Sequence, residues 1–275
     1  MNACNGTTTT EARGYAPVNG LKMYYEIEGT GNPLVFIPPA FGFAGRESFP
    51  QLVQNHSVIT VDLQGNGRTV DIPECPISIE HYAEDVVGLL KFLEISKADF
   101  LGDSYGGNTA TMIAIRYPEL VRRVVTYAAT FAPPPNTLNP ETTHYDHPPT
   151  AESRDIQFQR ESYKKVAPDP DYWPKIYDKV GSIQWKGFSK EELASIKVPI
   201  LIVQGDHDFV RLEHSVETVK LIPHAELAVI PNASHFALSS EQERVIPIIK
   251  HFLEKPEKQL PLATASAGYH PGETR

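Results

Sequence analysis

The chain has 275 residues, with 25 basic and 34 acidic side chains and a formal charge of −9 at pH 7. That length suits one α/β domain carrying an insertion, and an acidic balance without any Lys/Arg cluster argues against nucleic acid as a partner. The two cysteines, Cys4 and Cys75, have no CxxC or metal-ligand spacing, so neither a structural disulfide nor a zinc site is expected.

The first 14 residues are polar, with a threonine run at 7–10, and lack the basic and apolar regions of a secretory signal. No run reaches the ~18 apolar residues that a membrane span needs. The expectation is a cytoplasmic protein with flexible tails at 1–14 and 256–275, the second rich in Pro, Ala, Gly and Ser.

Asn19-Gly20 sits between two alternating apolar runs, 15–18 and 21–27, which predicts an opening antiparallel hairpin. Leu34-Val35-Phe36-Ile37 and the run 57–61 are continuous and apolar, as strands buried on both faces of a parallel sheet require. From Ser78, a candidate N-cap, Ile79, Tyr82, Ala83, Val86, Leu90 and Leu93 fall on one helical face. A short strand at 98–101 then runs into Gly102-Asp103-Ser104-Tyr105-Gly106-Gly107, beyond which Thr111, Ile113, Ala114 and Tyr117 recur at helical spacing.

A serine between two close glycines at a strand-to-helix junction reads as a nucleophile elbow. The sharp turn strains its central residue, the glycines remove clashes between strand and helix, and the hydroxyl is left exposed above a helix N-terminus. Further strands are predicted at 121–129, 199–203 and 227–230, with helices at 211–221 and 241–253, the last turning Val245, Ile248, Ile249 and Phe252 inward. Strands alternating with helices along the chain predict an α/β fold with a doubly wound, mainly parallel sheet. There is no internal repeat and no Rossmann glycine pattern.

The alternation breaks between Phe131 and Ile196. This stretch carries Pro133-Pro134-Pro135, Pro140, Pro148-Pro149, Pro168, Pro170 and both tryptophans, Trp173 and Trp185. A cap of two or three helices over the carboxyl edge of the sheet is expected at 132–195, inserted before the penultimate strand, with the core at 15–131 and 196–255. The tryptophans either face a pocket or hold the cap together, and apolar anchoring serves both.

Asp206-His207-Asp208-Phe209 follows the strand at 199–203, where ligands bind in open α/β sheets, and Ala233-Ser234-His235-Phe236 follows the last strand. The order Ser, Asp, His is that of the α/β-hydrolases. His144-Tyr145-Asp146-His147 has no third ligand at suitable spacing and reads as a polar cap loop, so no metal or cofactor is expected.

Taken together, the chain resembles the α/β-hydrolase superfamily, specifically its small capped serine hydrolases. The resemblance rests on Leu34-Val35-Phe36-Ile37, Val61-Asp62-Leu63-Gln64-Gly65-Asn66-Gly67-Arg68, the elbow, Gly205-Asp206-His207-Asp208 and Ala233-Ser234-His235, and covers about 15–255. It implies Ser104 as nucleophile, His235 as general base and later acid, and Asp208 as the group orienting His235. Asp206 is the rival acid, set aside by the family's spacing from Gly205. A serine is a poor nucleophile until an imidazole takes its proton, and the imidazolium needs a carboxylate beside it.

One position departs from the family. After the strand at 34–37 a His-Gly dipeptide is usual, and here Pro38-Pro39 stands instead. Proline has no N–H, but Ala40 keeps one in the oxyanion-donor position, with Tyr105 N–H as the second donor. Phe41, Phe43, Tyr105, Trp173, Phe209 and Phe236 are candidates for an apolar acyl or aryl pocket. The expected function is cofactor-independent hydrolysis of a small or medium apolar ester through an acyl-enzyme. Lactone, thioester, amide or carbon–carbon cleavage and perhydrolysis stay open on the same triad, as does a non-catalytic binding role on the same fold. Serine rather than aspartate at the elbow argues against haloalkane dehalogenase and epoxide hydrolase chemistry.

Overall fold

A computed structural model describes residues 12–45, 49–133, 137–139 and 153–256. The expected tails fall almost wholly outside the described residues, as do Cys4, Pro134, Pro135, Pro140, His144, His147, Pro148 and Pro149.

Strands β1 (Ala12–Val18) and β2 (Leu21–Glu28) form the predicted hairpin, with Val18 opposite Leu21. Asn19 and Gly20 take φ of 49° and 87°, the paired positive values that a two-residue hairpin turn needs and that Asn-Gly tolerates. Then come β3 (Asn32–Ile37), β4 (His56–Val61), α1 (Ile79–Phe92), β5 (Ala98–Asp103), α2 (Tyr105–Arg116) and β6 (Val121–Tyr127). Ser78 caps α1 by accepting from His81 N at 3.1 Å. Helices α3 (Arg154–Lys164), α4 (Trp173–Gly181) and α5 (Lys190–Ser195) follow. Strand β7 (Ile200–Gly205), α6 (Leu212–Leu221), β8 (Ala225–Ile230), α7 (Ala237–Ser240) and α8 (Gln242–Leu253) complete the chain.

The strands build one eight-stranded sheet in the order β1-β2-β4-β3-β5-β6-β7-β8. Only the opening hairpin and its pairing with β4 are antiparallel. Because side chains alternate along a strand, each central strand feeds two cores. Val35, Ile37, Phe100, Ile200 and Ile202 pack with α1 and α2 on one face, while Leu34, Phe36, Leu101, Leu201 and Val203 pack with α8 on the other. Burial on both faces explains why these strands read as unbroken apolar runs.

Helix α8 departs from its predicted face at one residue. Ile248 is 37% exposed and Ile246 is buried instead, beside Val245, Ile249 and Phe252. The shift brings Ile246 and Leu253 into the second core, where 245, 246, 249, 252 and 253 form one helical face and Ile248 lies at its edge. Among the described residues no helix is long and apolar enough to cross a membrane.

The segment between β6 and β7 carries α3, α4 and α5. Helices α3 and α4 pack on each other, whereas α5 packs on α2 and α6. Helix α4 is tied to the loop after β4 by a buried charge cluster. Lys179 Nζ donates to both Asp71 carboxylate oxygens at 2.8 and 2.9 Å and to Ile72 O at 2.7 Å. Tyr172 Oη and Gln64 Nε2 each donate to Asp71 at 2.8 Å. Burial works against the Asp71 charge, but the bonds from Lys179, Gln64 and Tyr172 together outweigh it and hold its carboxyl below the usual carboxylate range.

A depressed folded pKa stabilises above the ordinary carboxylate range and is lost as pH falls through the depressed value. Lys179→Met is therefore expected to destabilise the protein at pH 7, towards the low end of about 3–5 kcal/mol because Lys179 keeps some contact with water. Urea unfolding at stepped pH checks this, and the gap from wild type should narrow in acid. A gap that is absent at pH 7, or widens in acid, would show that the cluster does not tie down α4.

Candidate active site

The elbow forms where β5 ends. Ser104 has φ 52° and ψ −115°, a left-handed conformation that costs a non-glycine residue about 1–3 kcal/mol. It is held there by Ser104 N donating to Tyr127 O at 2.8 Å, and by Gly107 N and Asn108 N donating to Ser104 O. The residues two positions to either side must be glycine. A Cβ on Gly102 would strike the Gly106 carbonyl, and one on Gly106 would strike the Ile37 carbonyl at the end of β3. Ser104 stands at the N-cap of α2 but makes no side-chain capping bond, so its hydroxyl is not spent on the helix.

At the end of β7 the chain can bend against the loop that carries His235 because residue 205 is glycine, where a Cβ would collide with the Ala233 carbonyl. Asp208 and His235 are both buried, at 3% and 8% exposure. A carboxylate only accepts, so His235 Nδ1–H donates to Asp208 Oδ1, at 2.9 Å. Val210 N donates to the same oxygen at 2.9 Å. The Phe209 ring stacks on the imidazole with centroids 3.8 Å apart, and Phe236 meets its edge at 5.5 Å. Tyr127 Oη donates to Ser234 O at 2.7 Å and pins the loop. Burial, then the Asp208 and Asp103 charges, push the Tyr127 hydroxyl well above its ordinary pKa, so it stays a donor.

The rival acid lies elsewhere. Asp206 Oδ1 accepts from His207 Nδ1 at 2.8 Å, on the surface, and makes no bond to His235. His214 is buried on α6, where its Nε2 accepts from Phe131 N at 2.9 Å, and burial pushes its pKa down to about 4. It is thereby kept neutral as a structural acceptor. His251 lies on α8. Among the described residues no group of three or more His, Cys, Asp or Glu side chains could hold a metal ion.

Ser104 and His235 line one cleft of about 440 Å³ with Tyr105, Phe209, Thr130, Leu138 and Trp185, within the size range of small-molecule sites. Of the residues expected in an apolar pocket, Tyr105 and Phe209 line it. Phe41, Phe43 and Trp173 do not, because they are buried in packing at 4–8% exposure, and Phe236 is 55% exposed beside His235. The two tryptophans divide the two readings left open by sequence. Trp173 packs among Phe41, Tyr163 and Tyr177, whereas Trp185 faces the cleft and donates Nε1–H to Thr130 O at 3.3 Å. Ile183, Gln184 and Leu138 also line the cleft. They sit in irregular chain, where no periodicity marks an inward face. Ala40 lies half-buried in the turn after β3 and does not line the cleft, although the chain just before it, at Ile37 and Pro38, closes on Gly106 of the elbow.

The sequence model of the alpha/beta hydrolase family matches residues 34–248, and the chain belongs to that family. Its class is that of a serine hydrolase. It is similar to the 2-hydroxymuconate semialdehyde hydrolase of Pseudomonas sp. (strain CF600), with 24% identity over 86% of this chain and 92% of that protein. It is also similar to the serine hydrolase BPHL of Homo sapiens, with 29% identity over 85% of this chain and 82% of that one. Among solved structures, the meta-cleavage product hydrolase CumD of Pseudomonas fluorescens IP01 superposes with a TM-score of 0.74 and 22% identity, over 88% of this chain and 97% of that chain.

Proposed function

We propose that this protein hydrolyses a small or medium, uncharged, apolar ester through an acyl-enzyme on Ser104, beneath a cap formed by 132–195. The observation carrying this reading is the buried His235–Asp208 pair in the same cleft as the elbow serine. Asp208 holds Nδ1–H and so leaves Nε2 as the base that faces the reaction. Ser104 Oγ attacks the ester carbonyl as its proton passes to His235 Nε2. The carbonyl oxygen takes up negative charge, received by the Ala40 and Tyr105 N–H groups. Collapse breaks the ester C–O bond, and the alkoxide leaves with the proton from His235. Water then attacks the acyl carbon, giving its proton to His235, and the acid departs as Ser104 recovers its hydrogen.

The uncharged substrate follows from the walls. No lysine or arginine lines the cleft among the described residues. A carboxylate placed there would lose water without gaining a cation, which is costly. Carbon–carbon cleavage is the second reading, favoured by the likeness to meta-cleavage product hydrolases. One relative is named for a heptadienoate, an anion, and these neutral walls suit it poorly.

The test is a panel of p-nitrophenyl esters of rising chain length beside lactones, an anilide and a 2-hydroxy-6-oxo-dienoate, with Ser104→Ala as control. Short and medium esters are expected to exceed the dienoate in kcat/KM by at least about 10²-fold. A dienoate turned over faster than every ester would replace this reading with the second.

A further inference from the structure

We propose that Phe41 is a positioning residue for the oxyanion turn, locked in place by the aromatic face of helix α4, so that docking of α4 sets the efficiency of the chemical step. The inference rests on the assignment of Ala40 N–H as an oxyanion donor.

Three observations carry it. First, Gly42 N donates to Pro39 O at 2.9 Å and closes a tight turn at 39–42. Second, the residue after Ala40 in that turn is Phe41, with φ 61°. An aromatic residue enters the left-handed region only at a cost, and such a conformation lasts only where its surroundings impose it. Third, those surroundings are visible. The Phe41 ring lies 4.9 Å from Trp173 and, nearly parallel to it, 6.0 Å from Tyr177, and Phe41 is only 8% exposed. Trp173 is itself held by Tyr163 on α3, at 5.4 Å.

The backbone of Phe41 is thus fixed through its side chain, by residues one turn apart on α4. The peptide direction at Ala40 is set by the same turn, because Pro38 and Pro39 restrict the chain before it and Phe41 restricts it after. Since Phe41 does not line the cleft, it acts through Ala40 and not on substrate. The Asp71–Lys179 cluster anchors α4 one helical turn and a half further along, which extends the mechanical support from the cap to the donor.

The test measures kcat and KM for the best ester of the panel in Phe41→Ala, Phe41→Gly, Phe41→Tyr and Trp173→Ala, with melting curves confirming folded protein. A trifluoromethyl ketone probes the oxyanion site separately, because its serine adduct carries the same negative oxygen. Complete loss of one donor costs about 10² to 10³ in kcat, so a displaced donor in Phe41→Ala should cost roughly 10- to 100-fold in kcat, with KM nearly unchanged. Affinity for the ketone should fall in the same proportion. Phe41→Tyr should keep both, and Trp173→Ala should reproduce the loss from the cap side. Phe41→Gly, which permits the positive φ but offers no ring, should be as impaired as Phe41→Ala. Folded Phe41→Ala or Phe41→Gly with full kcat, or a defect confined to KM, would overturn the proposal. Failure of the ester reading itself would look different: wild type would be inert on every ester, or Ser104→Ala would match it.

Discussion

Ser104→Ala is expected to lower kcat by about 10⁶-fold, the scale seen when a serine protease triad loses its nucleophile. The expectation follows from the geometry of the elbow. Ser104 is held at φ 52° with no capping bond on its hydroxyl, at the edge of a cleft shared with His235. Intact-mass measurement after treatment with a fluorophosphonate should show one adduct on wild type and none on the variant. Ser104→Gly provides a second readout. Glycine relieves the positive φ, so this variant should be equally inactive yet more stable than Ser104→Ala by on the order of 1 kcal/mol. Persistent labelling of Ser104→Ala would place the nucleophile on another residue.

Asp208→Asn is expected to lower kcat by up to ~10⁴-fold with little change in folding. In the proposed mechanism the acid accepts from Nδ1 and so directs the basic lone pair of His235 at the serine, and an amide can present its N–H₂ there and reverse the tautomer. Asp206→Asn is the internal comparison, because Asp206 is exposed and bonded to His207. It should remain close to wild type. Steady-state kinetics of both variants on one ester decides the matter. A benign Asp208→Asn beside a crippled Asp206→Asn would reverse the assignment.

The legible parts of this chain are those where local chemistry has one solution. Asn19-Gly20 between alternating runs admits a two-residue hairpin turn and little else, and Ser104 between Gly102 and Gly106 admits an elbow. Leu34, Val35, Phe36 and Ile37 are all buried, alternately in the two cores, which makes β3 an uninterrupted apolar run, visible without any partner strand. The Asp208–His235 pairing was legible only through the resemblance, since nothing in local sequence distinguishes Asp208 from Asp206. Their difference lies in burial, 3% for Asp208 against an exposed Asp206, which is a property of the assembled loops.

The pocket was the least legible part. Phe41 and Trp173 are aromatic residues near the site in sequence terms, but they pack on each other, and the wall expected of them is made by Trp185 and Leu138. Composition tells that an aromatic residue will be buried and not against what. Ile246 in place of Ile248 on α8 is the same lesson on a smaller scale, since the two lie on opposite flanks of the stripe of Val245, Ile249 and Phe252 and the sheet beneath selects one.

Strands β6 and β7 are neighbours in the sheet although 128–199 separates them in the chain. Bringing the ends of such an insert together costs entropy that grows only with the logarithm of its length, so doubling it would add about 0.6 kcal/mol. To the folded sheet, the length of this insert is almost indifferent. Folding speed bears the burden instead, because β7 can join β6 only after a long loop has closed. The length of the insert is thereby nearly uncoupled from the melting temperature of the strands, whereas its sequence is not, because Trp173, Ile176 and Val180 belong to the main core and Lys179 holds Asp71.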